Sequence, residues 1–178
     1  MNLQPGVRGD SGLFYNQGMD HSRIIFIHGS GGDKSQTYKA RLLRELFPGI
    51  VTPDFDGDLV ERMAQLRAIL GKGTGWILIG SSLGGLMAAL FANEFPKQVQ
   101  KLVLLAPALS LTELAEIPPA SITIPTIIVQ GTMDELIHLP AAQEIAEKVF
   151  THLTYLVVQD DHRLHKTAEK LDWKSLLE

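Results

Sequence analysis

Five short apolar runs, each followed by turn residues, recur along the chain: "RIIFIHG" from Arg23, "WILIGS" from Trp76, "KLVLLAP" from Lys101, "PTIIVQG" from Pro125 and "LTYLVVQ" from Leu153. They scarcely alternate between apolar and polar residues, so neither face of such a strand can be given to water. Runs of this kind suit the interior of a parallel sheet that is covered on both sides. Segments with helical spacing lie between and after them, at about 36–47, 59–70, 83–95, 141–150 and 166–177. Strand and helix in alternation predict right-handed crossovers and a doubly wound, mostly parallel α/β sheet. In such a sheet the ligand site lies beyond the carboxyl ends of the strands, so a reactive residue should follow a strand. A weaker sixth run, "GIVTP" from Gly49, is a further strand candidate.

With 178 residues, the chain reads as one domain, 1–178, with room for a substantial core. Its 45% hydrophobic and 20% charged residues argue against disorder or a fibrous form. A net charge of −4, without a Lys/Arg cluster, excludes a nucleic-acid partner from the expectations. The absence of cysteine removes a disulfide framework, a thiolate metal site and a cysteine nucleophile. The first twenty residues lack the basic start and apolar stretch of a secretory leader, and no apolar run reaches membrane-spanning length. The expectation is a cytoplasmic protein with no membrane partner. The sequence sets no oligomeric state.

The chemistry centres on "GSSLGG", residues 80–85. Between the strand ending there and the helix that begins near Leu83 the chain must reverse sharply, so the residues two before and two after the turning residue must be small. Ser82 as the turning residue places Gly80 and Gly84 at those positions, matching G-x-S-x-G, with Gly85 one place further on. Ser81 would place Ile79 and Leu83 there, and both would clash. A serine on this turn projects its hydroxyl beside the positive end of the following helix, where the Leu83 N–H can serve a developing oxyanion. The second donor is expected from "HGSGG" after the first strand: Ser30 N–H, with Gly29 and Gly31 as neighbours able to take the role.

A serine also needs a base, normally a histidine oriented by a carboxylate. His162 follows the last strand in "VVQDDHRLH", with His165 as the reserve. Asp134, in "GTMDELI" after the preceding strand, is the preferred orienter; Glu135, Asp160 and Asp161 are weaker alternatives. Since the base must be neutral, activity should fall on acidification. Ile137 is a plausible neighbour of the substrate.

Taken together, "HGSGG", "GSSLGG", "GTMDELI" and "DDHRLH" resemble the α/β-hydrolase superfamily in their order and strand-end positions, from about Arg23 to the C-terminus. The serine turn is similar to that of small, nearly lidless bacterial esterases of the YqiA-like kind. This resemblance implies a compact fold with a minimal lid, and a triad of Ser82, Asp134 and His162. It further implies an oxyanion hole from the backbone of Leu83 and the His28 loop, and an acyl ester or thioester substrate cleaved without a cofactor. Two departures stand out: the early antiparallel strands of larger relatives are expected to be missing or reduced to something like "GLFYN", and "DD" precedes the histidine where glycine is commoner.

Other motifs fail on inspection. "DFDGD" misplaces the calcium-loop glycine and has Gln65 at the twelfth position; Asp58 followed by Glu61 instead reads as a helix-capping box. "GSGGDKS" lacks the glycines of a phosphate or dinucleotide loop. The H-x-x-H spacing of His162 and His165 has no third ligand, so no metal is expected. His28 reads as a structural histidine that holds its turn. The competing functional class is a non-catalytic interaction protein on the same scaffold, with "LLAPALSLTELAEIPP" as a partner surface; acyltransfer and peptidase chemistry would use the same three residues.

Overall fold

The computed structural model describes residues 21–30, 37–110 and 119–177. Five strands, β1 (Ile24–Ile27), β2 (Trp76–Ser81), β3 (Val99–Leu105), β4 (Thr126–Gly131) and β5 (Leu153–Val158), lie side by side in chain order, all parallel. Six α-helices accompany them among the described residues: α1 (Tyr38–Leu46), α2 (Leu59–Leu70), α3 (Leu83–Glu94), α4 (Leu139–Val149), α5 (His165–Lys170) and α6 (Trp173–Leu177). Every residue of β1 and β2 is buried, whereas β5, with Val157 49% exposed, forms an edge. The non-alternating runs thus mark strands that have helices on both faces.

On one face, Ile25, Leu78 and Leu104 pack against α2, α3 and α4; on the other, Phe26, Ile79 and Val103 pack against α1, α5 and α6. The winding that separates the helices comes from the weak sixth run. Val51 alone joins the sheet there, bridging Ile25 in parallel; it accepts from Phe26 N–H and donates to Ile24 O, both at 2.9 Å. The chain therefore steps to one side of β1 at Val51 and to the other side for β2. That reversal opens a crevice at the carboxyl ends of β1 and β2, where Gly29 and Ser82 lie.

Local chemistry sets the helix ends. Asp58 Oδ1 accepts from Glu61 N–H and Glu61 Oε2 accepts from Asp58 N–H, each at 2.9 Å, completing the capping box of α2. Helix α3 is apolar almost all round because it is wedged between α2 and the sheet, and its glycines and alanines allow that close approach. Helix α4 starts at Leu139, earlier than its periodicity predicts, because Pro140 occupies the first turn, where its missing N–H costs nothing.

The single C-terminal helix expected over 166–177 is two short ones. Leu171 is extended, Asp172 Oδ1 accepts from Ser175 N–H at 3.1 Å, and Trp173 Nε1 donates to Ala168 O at 2.8 Å. The break lets Trp173 and Leu177 both enter the core. The interaction surface considered around Leu104 is also corrected as far as it is described: Leu104, Leu105, Ala106 and Leu109 are fully buried, and residues 111–118 lie outside the described residues. "GLFYN" lies outside them as well.

Candidate active site

Ser82 links β2 to α3 with φ 54° and ψ −120°, in the left-handed half of conformational space that a residue with a Cβ seldom adopts. Its neighbours explain how the strain is held. A Cβ on Gly80 would sit 2.4 Å from Gly84 O, one on Gly84 would sit 2.0 Å from Ile27 O, and one on Gly85 would sit 2.6 Å from the Pro107 Cβ. Ser82 N–H donates to Leu105 O at 3.0 Å, and Ser82 O accepts from Ala108 N–H at 3.1 Å, so β3 pins the turn from behind. Ser81 is the last residue of β2 and is buried.

Two further loops converge on this hydroxyl. Thr132 N–H donates to Val158 O at 2.8 Å and Met133 N–H to Asp160 O at 3.0 Å, continuing the β4–β5 pairing past the strands. A Cβ on Gly131 would lie 2.3 Å from Asp160 O, so glycine is what permits this approach. The loops thereby bring Asp134 and His162 together. His162 Nδ1 lies 2.8 Å from Asp134 Oδ2, and His162 Nε2 lies 3.0 Å from Ser82 Oγ. A carboxylate can only accept, so Nδ1 carries the proton and Nε2 is free to receive one from the serine.

Asp134 has a fully buried side chain. Its Oδ1 accepts from Leu136 and Ile137 N–H, each at 2.9 Å, while Oδ2 is shared by His162 and the Gln130 amide, the latter at 2.7 Å. Burial alone pushes the carboxyl up. The bonds from Ile137, His162 and Leu136 outweigh it and hold the group below the usual carboxylate range.

Gln130 was not singled out from the sequence. Its signal is a polar residue inside the apolar run "TIIVQG", where it is 0% exposed. For a Ser82 that acts as a nucleophile with His162 as its base, Gln130→Leu should lower kcat by about 10- to 100-fold, the cost of losing one hydrogen bond to the buried charge beside the imidazole. Steady-state ester kinetics measures it; unchanged kcat would remove Gln130 from the site.

The loop after β1 is held just as deliberately. His28 is 2% exposed; its Nε2 accepts from Phe55 N–H at 2.9 Å, so Nδ1 bears the hydrogen and donates to Gly29 O at 2.7 Å. The buried Arg62 also reaches Gly29 O, at 3.3 Å, and Gly57 O at the same distance. In a trans peptide the N–H points opposite to the C=O, so pinning the Gly29 carbonyl turns Ser30 N–H away from Arg62. Gly29 and Ser30 both line the cleft over Ser82, and Leu83 opens α3, where the first N–H groups have no intrahelical acceptor. Gly31 lies outside the described residues.

Other candidates occupy different places. Ile137 does not line the cleft: its side chain packs with Ala108 and Ala142, its backbone holds Asp134, and the exposed Leu136 beside it lines the cleft instead. Glu135 is exposed. The His165 ring lies tilted against that of Tyr38, centroids 4.7 Å apart, and burial is the main influence lowering its pKa.

The "DD" pair fastens the histidine loop. Asp161 Oδ1 accepts from Arg163 and Leu164 N–H, and Asp160 accepts from Asp161 N–H and from the backbone and hydroxyl of Thr167. Burial pushes the Asp160 carboxyl up, but these bonds prevail and set it below the ordinary 3.8. A depressed folded pKa means stability that is present above the unfolded value and lost as pH falls through the folded one. Asp160→Asn should therefore lower the melting temperature at pH 7 and flatten its decline below about pH 4. Thermal scans at stepped pH check this.

The cleft over Ser82 measures about 520 Å³. Among the described residues no group of three or more His, Asp or Glu could hold a metal ion, and no helix is long and apolar enough to cross a membrane.

Comparison with known proteins agrees with this architecture. No curated protein matches the sequence. Solved structures with the same fold include an alpha-beta serine hydrolase homologue from Coxiella burnetii (19% identity, TM-score 0.68, covering 90% of this chain and 86% of that one). They also include Est1E from Butyrivibrio proteoclasticus (20%, TM-score 0.66, 83% and 84%) and a monoacylglycerol lipase from Paleococcus ferrophilus (14%, TM-score 0.66, 86% and 93%). Residues 4–121 match the model of the alpha/beta hydrolase fold family. With that match, and five parallel strands flanked by helices, the chain belongs to the alpha/beta hydrolase fold family.

Proposed function

We propose that the protein is a serine hydrolase of the small, YqiA-like kind, cleaving carboxylic esters or thioesters through an acyl-enzyme. The observation that carries this reading is the unbroken hydrogen-bonded file from Ser82 through His162 to Asp134, anchored on a strained turn at a helix N-terminus. His162 Nε2 takes the hydroxyl proton as Ser82 Oγ adds to the acyl carbonyl. The N–H groups of Leu83 and Ser30 face the oxyanion, and the imidazolium, held by Asp134, returns its proton to the leaving alcohol or thiol. Water activated by the same imidazole then releases the acid and regenerates the serine. Nucleophile, base and water complete the cycle without a cofactor. The monoacylglycerol lipase among the structural relatives favours the same chemistry.

A fluorophosphonate probe tests the reading directly. The wild-type chain should be labelled stoichiometrically at Ser82 and the Ser82→Ala variant not at all. A folded wild-type chain that resists labelling would favour a non-catalytic interaction protein on this scaffold.

A further inference from the structure

The cleft over Ser82 carries an uneven charge that the three reacting side chains do not account for. Its lining includes Lys39, Arg163 and His165, together with Thr37 and Tyr38. No Asp or Glu lines it among the described residues. The carboxylates nearby are engaged elsewhere: Asp160 with Thr167, Asp161 with the Arg163 and Leu164 backbone, and Glu169 with the Tyr38 hydroxyl. Large apolar side chains are few in this lining, Phe26 and Leu136 among the described residues, so a long hydrocarbon chain would find little to bury against.

Lys39 is the centre of this asymmetry. It is 8% exposed, yet the one hydrogen bond it makes among the described residues is from Nζ to Arg163 O. An ammonium has three N–H donors, and leaving them unfilled in a buried position is costly. Burial is the main influence on the group and pushes its pKa down to about 8, which leaves it charged at neutral pH. Asp161 and Asp160 act on the ammonium only through space, so an anion entering the cleft would supply the missing acceptors and a counter-charge in direct contact.

We propose that the cleft contains an anion subsite centred on Lys39, with Arg163 and His165 at its rim, so that the ester or thioester cleaved at Ser82 bears a carboxylate or phosphate. This deepens the serine-hydrolase reading and rests on it.

Two ester pairs and one titration test it. In the first pair the acyl half is charged or neutral: 4-nitrophenyl hydrogen succinate against 4-nitrophenyl 4-methylpentanoate. In the second the alcohol half is: the acetate of 4-hydroxybenzoate against that of its methyl ester. One pair should favour the charged member in kcat/KM, through KM, and Lys39→Met should reduce that preference by about 10- to 100-fold. Arg163→Gln, at the exposed rim, should reduce it in the same direction and serves if Lys39→Met does not fold. Neutral members favoured in both pairs, with no saturable binding of phosphate in the accompanying titration, or a preference that neither variant changes, would overturn the subsite. In parallel, succinate and inorganic phosphate are titrated into the wild-type chain at constant ionic strength, following the His165 ring protons. Saturable binding that weakens in the variants upholds the subsite even if no ester is cleaved, in which case the hydrolase reading alone has failed. The tighter of the two anions identifies carboxylate or phosphate, and binding no stronger than that of chloride overturns the proposal.

Discussion

Ser82→Ala is expected to reduce ester turnover by about 10⁴- to 10⁶-fold in kcat while leaving the melting temperature almost unchanged. The two halves of that expectation have separate causes. The Ser82 side chain makes its hydrogen bond to His162 and is not part of either hydrophobic cluster, so removing the oxygen opens no core cavity. Alanine also keeps a Cβ at φ 54°, so the strain of the turn persists. What disappears is the atom that attacks the carbonyl in the proposed mechanism. Ser82→Gly should be equally inactive but more stable by about 1 kcal/mol, because glycine adopts this backbone without strain. Steady-state kinetics on 4-nitrophenyl acetate and differential scanning calorimetry read the two effects; a folded Ser82→Ala protein with wild-type turnover would end the mechanism.

Gly84→Ala should have the largest effect on stability. The new Cβ would lie 2.0 Å from Ile27 O, 2.6 Å from Ile27 C and 2.8 Å from His28 O. These are backbone atoms at the end of a fully buried strand, and unlike a side-chain tip they cannot swing aside. Overpacking of this kind costs about 3 kcal/mol or more, which for a chain of this size lowers the melting temperature by about 6–12 °C. Activity should fall as well, since the displaced backbone leads directly into Gly29. Gly71→Ala is the informative contrast: nothing lies within 4 Å of its Cβ, and its cost, about 1 kcal/mol, comes from the backbone conformation alone. Equal melting temperatures for the two variants would show that the β1–α3 contact is looser than its geometry implies.

Much of this architecture was legible because burial on both faces leaves a mark that one face alone does not. The five apolar runs became the five strands, and the small residues around Ser82 became the contacts that shape its turn. Residues whose importance depends on a distant partner left no such mark. Lys39 and Arg62 look like ordinary cations on helix surfaces, yet both are buried by loops that the sequence does not place. Gln130 reads as a strand end until Asp134 folds back onto it. The sixth run contributes a single bridging residue, Val51, and the C-terminal periodicity runs through a break that exists because Trp173 and Leu177 must both reach the core.

The sequence by itself determined the fold class and which serine sits on the turn, since periodicity and side-chain size act between residues close along the chain. Tertiary structure decided between Asp134 and the other carboxylates as the partner of His162, and decided that the Gly29 carbonyl is pinned by His28 and Arg62 and that a buried lysine lines the cleft. Those are hydrogen-bond geometries between loops set by strand register and by glycine-permitted close approach, and no local pattern specifies where two distant loops will touch.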